Sequence, residues 1–197
     1  MSRFRTALIV AAAALGASAV LPVTPASADT VDKFAHAMFN SNDDDTVSMT
    51  IDVAKVDGVT TIDVDWQQSR CALTETAYVC DSVYRMAYDA PVRNFSFSLT
   101  GETRVRADVT YRELRRHCTY VDEQEDCTEQ EAAGSTTVEV TWTPTSEPTR
   151  EVWTDEQGVR HVSKRIDASA TGSGFGLTYG PAGSYGVVSR SRTIDPA

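Results

Sequence analysis

Four cysteines stand in two pairs of one spacing, Cys71 with Cys80 and Cys118 with Cys127, and nothing else in the chain restricts its fold as strongly. Three pairings are formally open to four cysteines. The spacing favours 71–80 with 118–127, because each pair brackets eight residues that read as the tip of a hairpin, 72–79 and 119–126. Closing a ten-residue loop removes about 2.7 kcal/mol of unfolded-state entropy in the chain-entropy model. His117 beside Cys118 raises zinc as an alternative with Cys127, but the close Cys-x-x-Cys or His-x3-His spacing of a structural site is missing, and no metal or other cofactor is expected.

Thiols pair in an oxidising compartment, and the N-terminus offers a route to one. Arg3 and Arg5 precede a charge-free, mostly apolar run from Ala7 to Val20, then Pro22, Pro25 and the small-x-small triplet Ala26-Ser27-Ala28. The pattern predicts a secretory signal peptide over 1–28 with cleavage before Asp29, since the run is shorter than the roughly 20 residues that cross a bilayer. No cysteine near that point and no apolar C-terminal tail suggests a membrane anchor, so the expected product is secreted and extracellular. The alanine-rich leader is bacterial in character, which makes the sequon Asn94-Phe95-Ser96 incidental. Removing the leader leaves 169 residues, enough for one core, and moves the net charge from −10 to −12. That acidity excludes a nucleic-acid phosphate tracker and an anionic membrane surface as partners.

Residues 29–45 are expected to be a short amphipathic helix and an acidic linker. Val31, Phe34, Ala35, Met38 and Phe39 recur at helical spacing behind Asp29 and Thr30 as caps, and Asn40-Ser41-Asn42 with Asp43, Asp44 and Asp45 follow. The helix is expected either to dock on its own core or to offer Phe34 and Met38 to a partner's groove.

From Thr46 to Ala197 the pattern predicts a single disulfide-stapled β domain. Its clearest unit is Thr46–Val56, the turn Asp57-Gly58, and Val59–Trp66. A two-residue turn pairs Val53 with Ile62, Ile51 with Val64 and Met49 with Trp66, so turn chemistry and hydrophobic pattern agree. On the other face Asp52 then lies across from Asp63, and Thr50 across from Asp65. Like charges in that arrangement are unfavourable, and Arg104, Arg106 and Arg112, alternating with Val105, Ala107, Val109 and Tyr111, are the expected partners in an ion-pair ladder. A calcium site at Asp52, Asp63 and Asp65 is the alternative, although no loop supplies six oxygens at recognisable spacing. Further strands are expected over 77–88, 92–100, 136–143, 150–154, 159–170 and 185–194, with 144–148 interrupting the sheet. The fold class is therefore all-β: a single β-sandwich, immunoglobulin-like or a related antiparallel form, with a barrel as runner-up.

Catalytic signatures are missing. The cysteines are consumed by disulfides, His36, His117 and His161 stand beside no nucleophile motif, and the stretch Thr171–Gly176 is not G-x-S-x-G. Glycines from 172 to 186 lack the P-loop lysine and read as a mobile loop presenting Phe175, Tyr179 and Tyr185. Asp122, Glu123, Glu125 and Asp126 form a solvated acidic hairpin suited to a basic partner. The function expected from these features is that of a non-enzymatic binding module or adaptor for another extracellular protein, using Phe34 and Met38, the acidic hairpin, or Phe175, Tyr179 and Tyr185. A carbohydrate or cell-wall binding module stacking sugars on Trp66, Trp142, Trp153 or the loop tyrosines, Tyr179 among them, is the first alternative, with Trp66 and Trp142 predicted to face inward and Trp153 the better-placed tryptophan. A hydrolase with an unrecognised site is the second.

Overall fold

The computed structural model describes residues 31–41, 46–121 and 124–194. The expected signal peptide, linker residues 42–45, and Asp122 and Glu123 of the acidic hairpin lie outside them. The described residues form eleven strands and no helix. In chain order these are β1 (Val31–Ser41), β2 (Thr46–Val56), β3 (Val59–Leu73), β4 (Tyr78–Pro91), β5 (Asn94–Ser96), β6 (Thr103–Val121), β7 (Gln124–Pro144), β8 (Thr149–Thr154), β9 (Arg160–Gly174), β10 (Leu177–Tyr179) and β11 (Ser184–Ile194).

All pair antiparallel in one sheet. Its ladders run from β1 through β2, β3, β4, β6, β7, β9 and β11 and back to β1. One face of each of these eight strands supplies a common core that includes Phe39, Met49, Ile51, Ile62, Val109, Val138, Trp142, Ile166 and Val188. β4 and β6 pair only from Tyr78–Met86 to Arg112–Tyr120. Beyond that point β5 joins β6, and Val92, Phe95, Phe97 and Leu99 pack against the core.

The Asp57-Gly58 hairpin has the predicted register, with Val53, Ile51 and Met49 opposite Ile62, Val64 and Trp66, all six buried. Asp57 and Gly58 both have positive φ (50° and 82°), the requirement of a type I′ turn that only residues such as Asp and Gly meet cheaply. Residues 144–148 do interrupt one edge: β7 and β8 lie in succession along the same side of β9.

Three expectations are corrected. The N-terminal helix is instead β1, seated between β11 and β2. Ala35, Ala37 and Phe39 face the core while Phe34 and Met38 face out, so apolar residues on both faces of a strand mimicked a helical stripe. The ion-pair ladder does not form, because β4 separates β6 from β3. Arg104, Arg106 and Arg112 pair with Glu102, Glu139 and Glu131, while Asp52 meets His36 at 2.8 Å. The glycine-rich segment is not an extended loop. β9 continues to Gly174, Phe175 and Gly176 turn with positive φ (55° and 81°), and β10 follows.

Glycine there makes room for large side chains. A Cβ on Gly186 would lie 2.8 Å from Trp142 Cδ1, and the fully buried Trp142 donates from Nε1 to the His36 carbonyl at 2.7 Å.

Candidate binding surfaces

The distal parts of β3, β4, β6 and β7 form a four-stranded arm, and the cysteines set its geometry. Cys71 pairs with Cys80, Cys80 with Cys118 and Cys118 with Cys127, so all four stand in one row across the sheet. The outer members are bonded, 71–80 and 118–127, with Cα separations of 4.1 and 4.2 Å. Such short separations belong to the narrow, non-hydrogen-bonded pairs of an antiparallel ladder. Alternation along and across the strands makes the central pair, Cys80 with Cys118, a wide one. The pairing expected from loop length thus coincides with the one the ladders favour.

The adjoining row toward the tip is Leu73, Tyr78, Tyr120 and Glu125. Leu73 is 81% exposed, and the Tyr78 and Tyr120 rings lie 6.1 Å apart. The Tyr120 hydroxyl donates to Glu125 at 3.1 Å, and this bond raises the tyrosine pKa. Arg116, in the row on the other side of the disulfides, lies between Glu125 and Glu129 at 3.1 and 3.5 Å.

The outer edge of the arm is β7. Its ladder with β9 begins only at Glu139, so the side facing away from β6 carries no strand from Gln124 to Ser135 among the described residues. Because Cys127 occupies a narrow pair, its N–H points away from β6, and those of Glu129, Glu131 and Ala133 follow by alternation. Glu125, Asp126, Glu129 and Glu131 are exposed along this edge. Acidic side chains of this kind suppress pairing between like edges.

At the base of the arm Arg85 enters the interior. Its guanidinium lies 4.4 Å from the Trp66 ring, 5.6 Å from Phe175 and 5.8 Å from Tyr111. Glu113, buried, accepts from Arg85 Nε and Arg115 Nε, each at 2.7 Å. Those two bonds, Arg85's first, hold the Glu113 carboxyl below the usual glutamate range. This cluster joins arm to core, and sequence reading missed it because a lone Arg85 among apolar neighbours signals nothing until β4 is placed between β3 and β6.

The other predicted residues separate. Phe34, Met38 and Tyr185 lie on the outer face of β1 and β11 and are all exposed; Met38 and Tyr185 are directly paired, while Phe34 stands four residues along β1, opposite Ser189. Phe175 packs on Trp66 and Tyr111. Tyr179 is 8% exposed and accepts from Trp66 Nε1 at 2.8 Å, and burial raises its pKa. Trp66 and Trp142 face inward, and Trp153, 47% exposed, stacks on His161 at 5.1 Å.

Every histidine has an aspartate partner: His36 with Asp52, His117 with Asp81 and His161 with Asp155. The His161 bond lowers the Asp155 pKa. Among the described residues no serine or threonine hydroxyl bonds to any of these rings. Asp63 accepts from the Asp89 N–H and Asp65 from the Tyr88 hydroxyl, each at 2.7 Å. The one trio at metal-binding distances among the described residues is Cys118, Glu125 and Cys127, whose sulfurs are tied up in a disulfide.

No protein-family model, curated protein or solved structure matches this chain. The two disulfides fit an oxidising, extracellular setting, and no helix of the described residues is long and apolar enough to cross a membrane.

Proposed function

We propose that the chain is a secreted, non-enzymatic binding module that takes an extended, basic segment of another extracellular protein along the free edge of β7. The scaffold in this reading is a partly open eight-stranded barrel. Its strands are staggered by about ten residues per circuit, as closure of a tilted barrel requires, and that stagger carries the distal half of β7 past the point where β9 joins. The observation that carries the proposal is this edge: from Gln124 to Ser135 it has free outward N–H groups, acidic side chains and two disulfides behind it. A strand added there gains main-chain hydrogen bonds, and Lys or Arg on the added strand shares Glu129 and Glu125 with Arg116 and Glu131 with Arg112, all of them exposed. A rigid arm loses little entropy on binding. Among the described residues the outer wall of the sheet interrupts its apolar side chains with His36, Asp52, Asp63, Arg106 and Glu139, unlike the continuous apolar band of a lipid-facing barrel.

The test is titration of the mature chain with an eight-residue peptide alternating Lys with Val or Thr, followed by calorimetry. Ala133→Pro removes an N–H that points outward and none that bonds to β6, so the fold is retained while the edge is blocked. Saturable binding that weakens at least tenfold in Ala133→Pro supports the proposal. Equal binding by both forms, or none by the wild type at low salt, overturns it.

A carbohydrate-binding reading rests on the exposed Trp153 ring, which has one face on His161. Retention on an insoluble polysaccharide, lost in Trp153→Ala, would favour it over the peptide.

A further inference from the structure

At the end of the sheet away from the arm, five strands place one cation each in a single transverse row. Arg150 of β8 pairs with Lys164 of β9, Lys164 with Arg190 of β11, Arg190 with Lys33 of β1, and Lys33 with Lys55 of β2. Directly paired residues project to the same face of a sheet, here the face that is continuous with the core through Ile166, Val188, Ala35 and Val53. The next row outward adds Val152, Val162 and Arg192. Arg150, Val162, Lys164, Arg190, Arg192 and Ile194 line a cleft of about 330 Å³.

Charges on these strands are sorted by face. Asp32, Asp52, Glu151 and Asp167 all fall at the alternate positions and face the other way, so no acid shares the basic face of the five strands among the described residues. None of Lys33, Lys55, Arg150, Lys164 and Arg190 forms an ion pair with a described residue; Lys33 instead rests over the Phe97 ring at 5.3 Å. Like charges directly opposite one another across a ladder destabilise a sheet. A chain of net charge −10 with 28 acids has ample means to neutralise such a row, yet among the described residues no acid stands on this face of the five strands.

We propose that this face is a binding site for an extended polymer bearing phosphate or sulfate groups. Strands lie about 4.8 Å apart, so the five cations follow roughly 19 Å of arc along the sheet, a track for a charged chain rather than a socket for one ion. Arginine forks bind tetrahedral oxyanions through paired hydrogen bonds. The face carries Val and Ile from these strands, and the Phe97 ring beside it is half-buried and covered by Lys33, so bases would have little to stack on, which separates this polymer from a nucleic acid. The site lies at the opposite end of the molecule from the β7 edge and stands whether or not that edge binds a peptide.

The probes are inorganic polyphosphate, dextran sulfate and poly-L-glutamate, titrated at about 50 mM salt into the mature chain, the double variant Lys164→Gln/Arg190→Gln, and the arm variant Glu129→Gln. Both changed cations are exposed, and retention of the fold is checked by circular dichroism. The expected result is saturable binding of polyphosphate or dextran sulfate that weakens at least tenfold in the double variant and is unchanged in the arm variant. Its dependence of log K on log salt should fall by about one to two in slope, because two charges leave the contact. Tighter binding of polyphosphate identifies a phosphate polymer as the natural class, and tighter binding of dextran sulfate a sulfated polysaccharide. Absence of binding to both, equal affinity for poly-L-glutamate, or insensitivity to the double variant would overturn the proposal.

Discussion

Replacing Arg85 with Met should cost about 3 kcal/mol, and the structure says where that energy goes. Arg85 and Glu113 side chains retain 20% and 9% of their exposure, so the pair is mostly withdrawn from water. Removing one partner of such a pair typically costs 3–5 kcal/mol, because a charge is left buried. Here Arg115 still holds the second Glu113 oxygen, which places the loss near 2 kcal/mol, and the contact with the Trp66 face adds about 1 kcal/mol. Methionine fills most of the vacated space, so no large cavity term enters. Urea unfolding followed by tryptophan fluorescence measures the loss, and Arg85→Met/Glu113→Leu provides the control. Replacing both partners removes the stranded charge and should recover at least half of it. Stability should also depend on pH through Glu113. Its carboxyl is held below the ordinary value, so its contribution is complete above about pH 4.3, the unfolded glutamate value, and fades as pH falls through the lower folded value. Arg85→Met should shrink that acid-side loss. A cost below about 1 kcal/mol for the single variant, or a double variant no more stable than the single, would refute the reasoning.

Two further perturbations separate staple from packing. Replacing Cys118 and Cys127 by Ser, or Cys71 and Cys80, opens a ten-residue loop in each case and should cost about 2.7 kcal/mol. The first pair should lose more, because Cys118 is buried, and equal losses in urea titrations would contradict this. Gly186→Ala forces a methyl against Trp142 Cδ1 at 2.8 Å and the Ala168 carbonyl at 3.1 Å, which should cost about 1–3 kcal/mol by overpacking. Gly180→Ala, where nothing lies within 4 Å, is the control, and a similar shift in Tm for both would count against tight packing at Trp142.

Local signals in the sequence were read correctly where two of them coincided. Asp57-Gly58 carried both a turn type and an alternation, and the register over Met49, Ile51, Val53, Ile62, Val64 and Trp66 followed. The cysteine spacing carried hairpin tips and pairing together. Residues 31–39 misled because Phe34 and Met38 are apolar on the outer face of a strand whose inner face is Ala35, Ala37 and Phe39. A single period could not distinguish that from a helix. The glycines from 172 to 186 suggested mobility, whereas Gly186 and Gly172 are small because Trp142 and Phe39 press against them. The Arg85 cluster, the free edge of β7 and the five-cation row are products of strand order. Lys33, Lys55, Arg150, Lys164 and Arg190 are far apart in the chain, and only the closing ladders bring them into one line.

The edge of β7 can be read amide by amide. Hydrogen exchange followed by nuclear magnetic resonance on the free mature chain should show Thr128, Gln130 and Ala132 protected through their bonds to β6, and Glu129, Glu131 and Ala133 exchanging fast. Saturation with the alternating basic peptide should then slow the latter three. Protection of Glu129, Glu131 and Ala133 in the free chain, or their unchanged exchange in the complex, would contradict the proposal that this edge is where a partner strand adds.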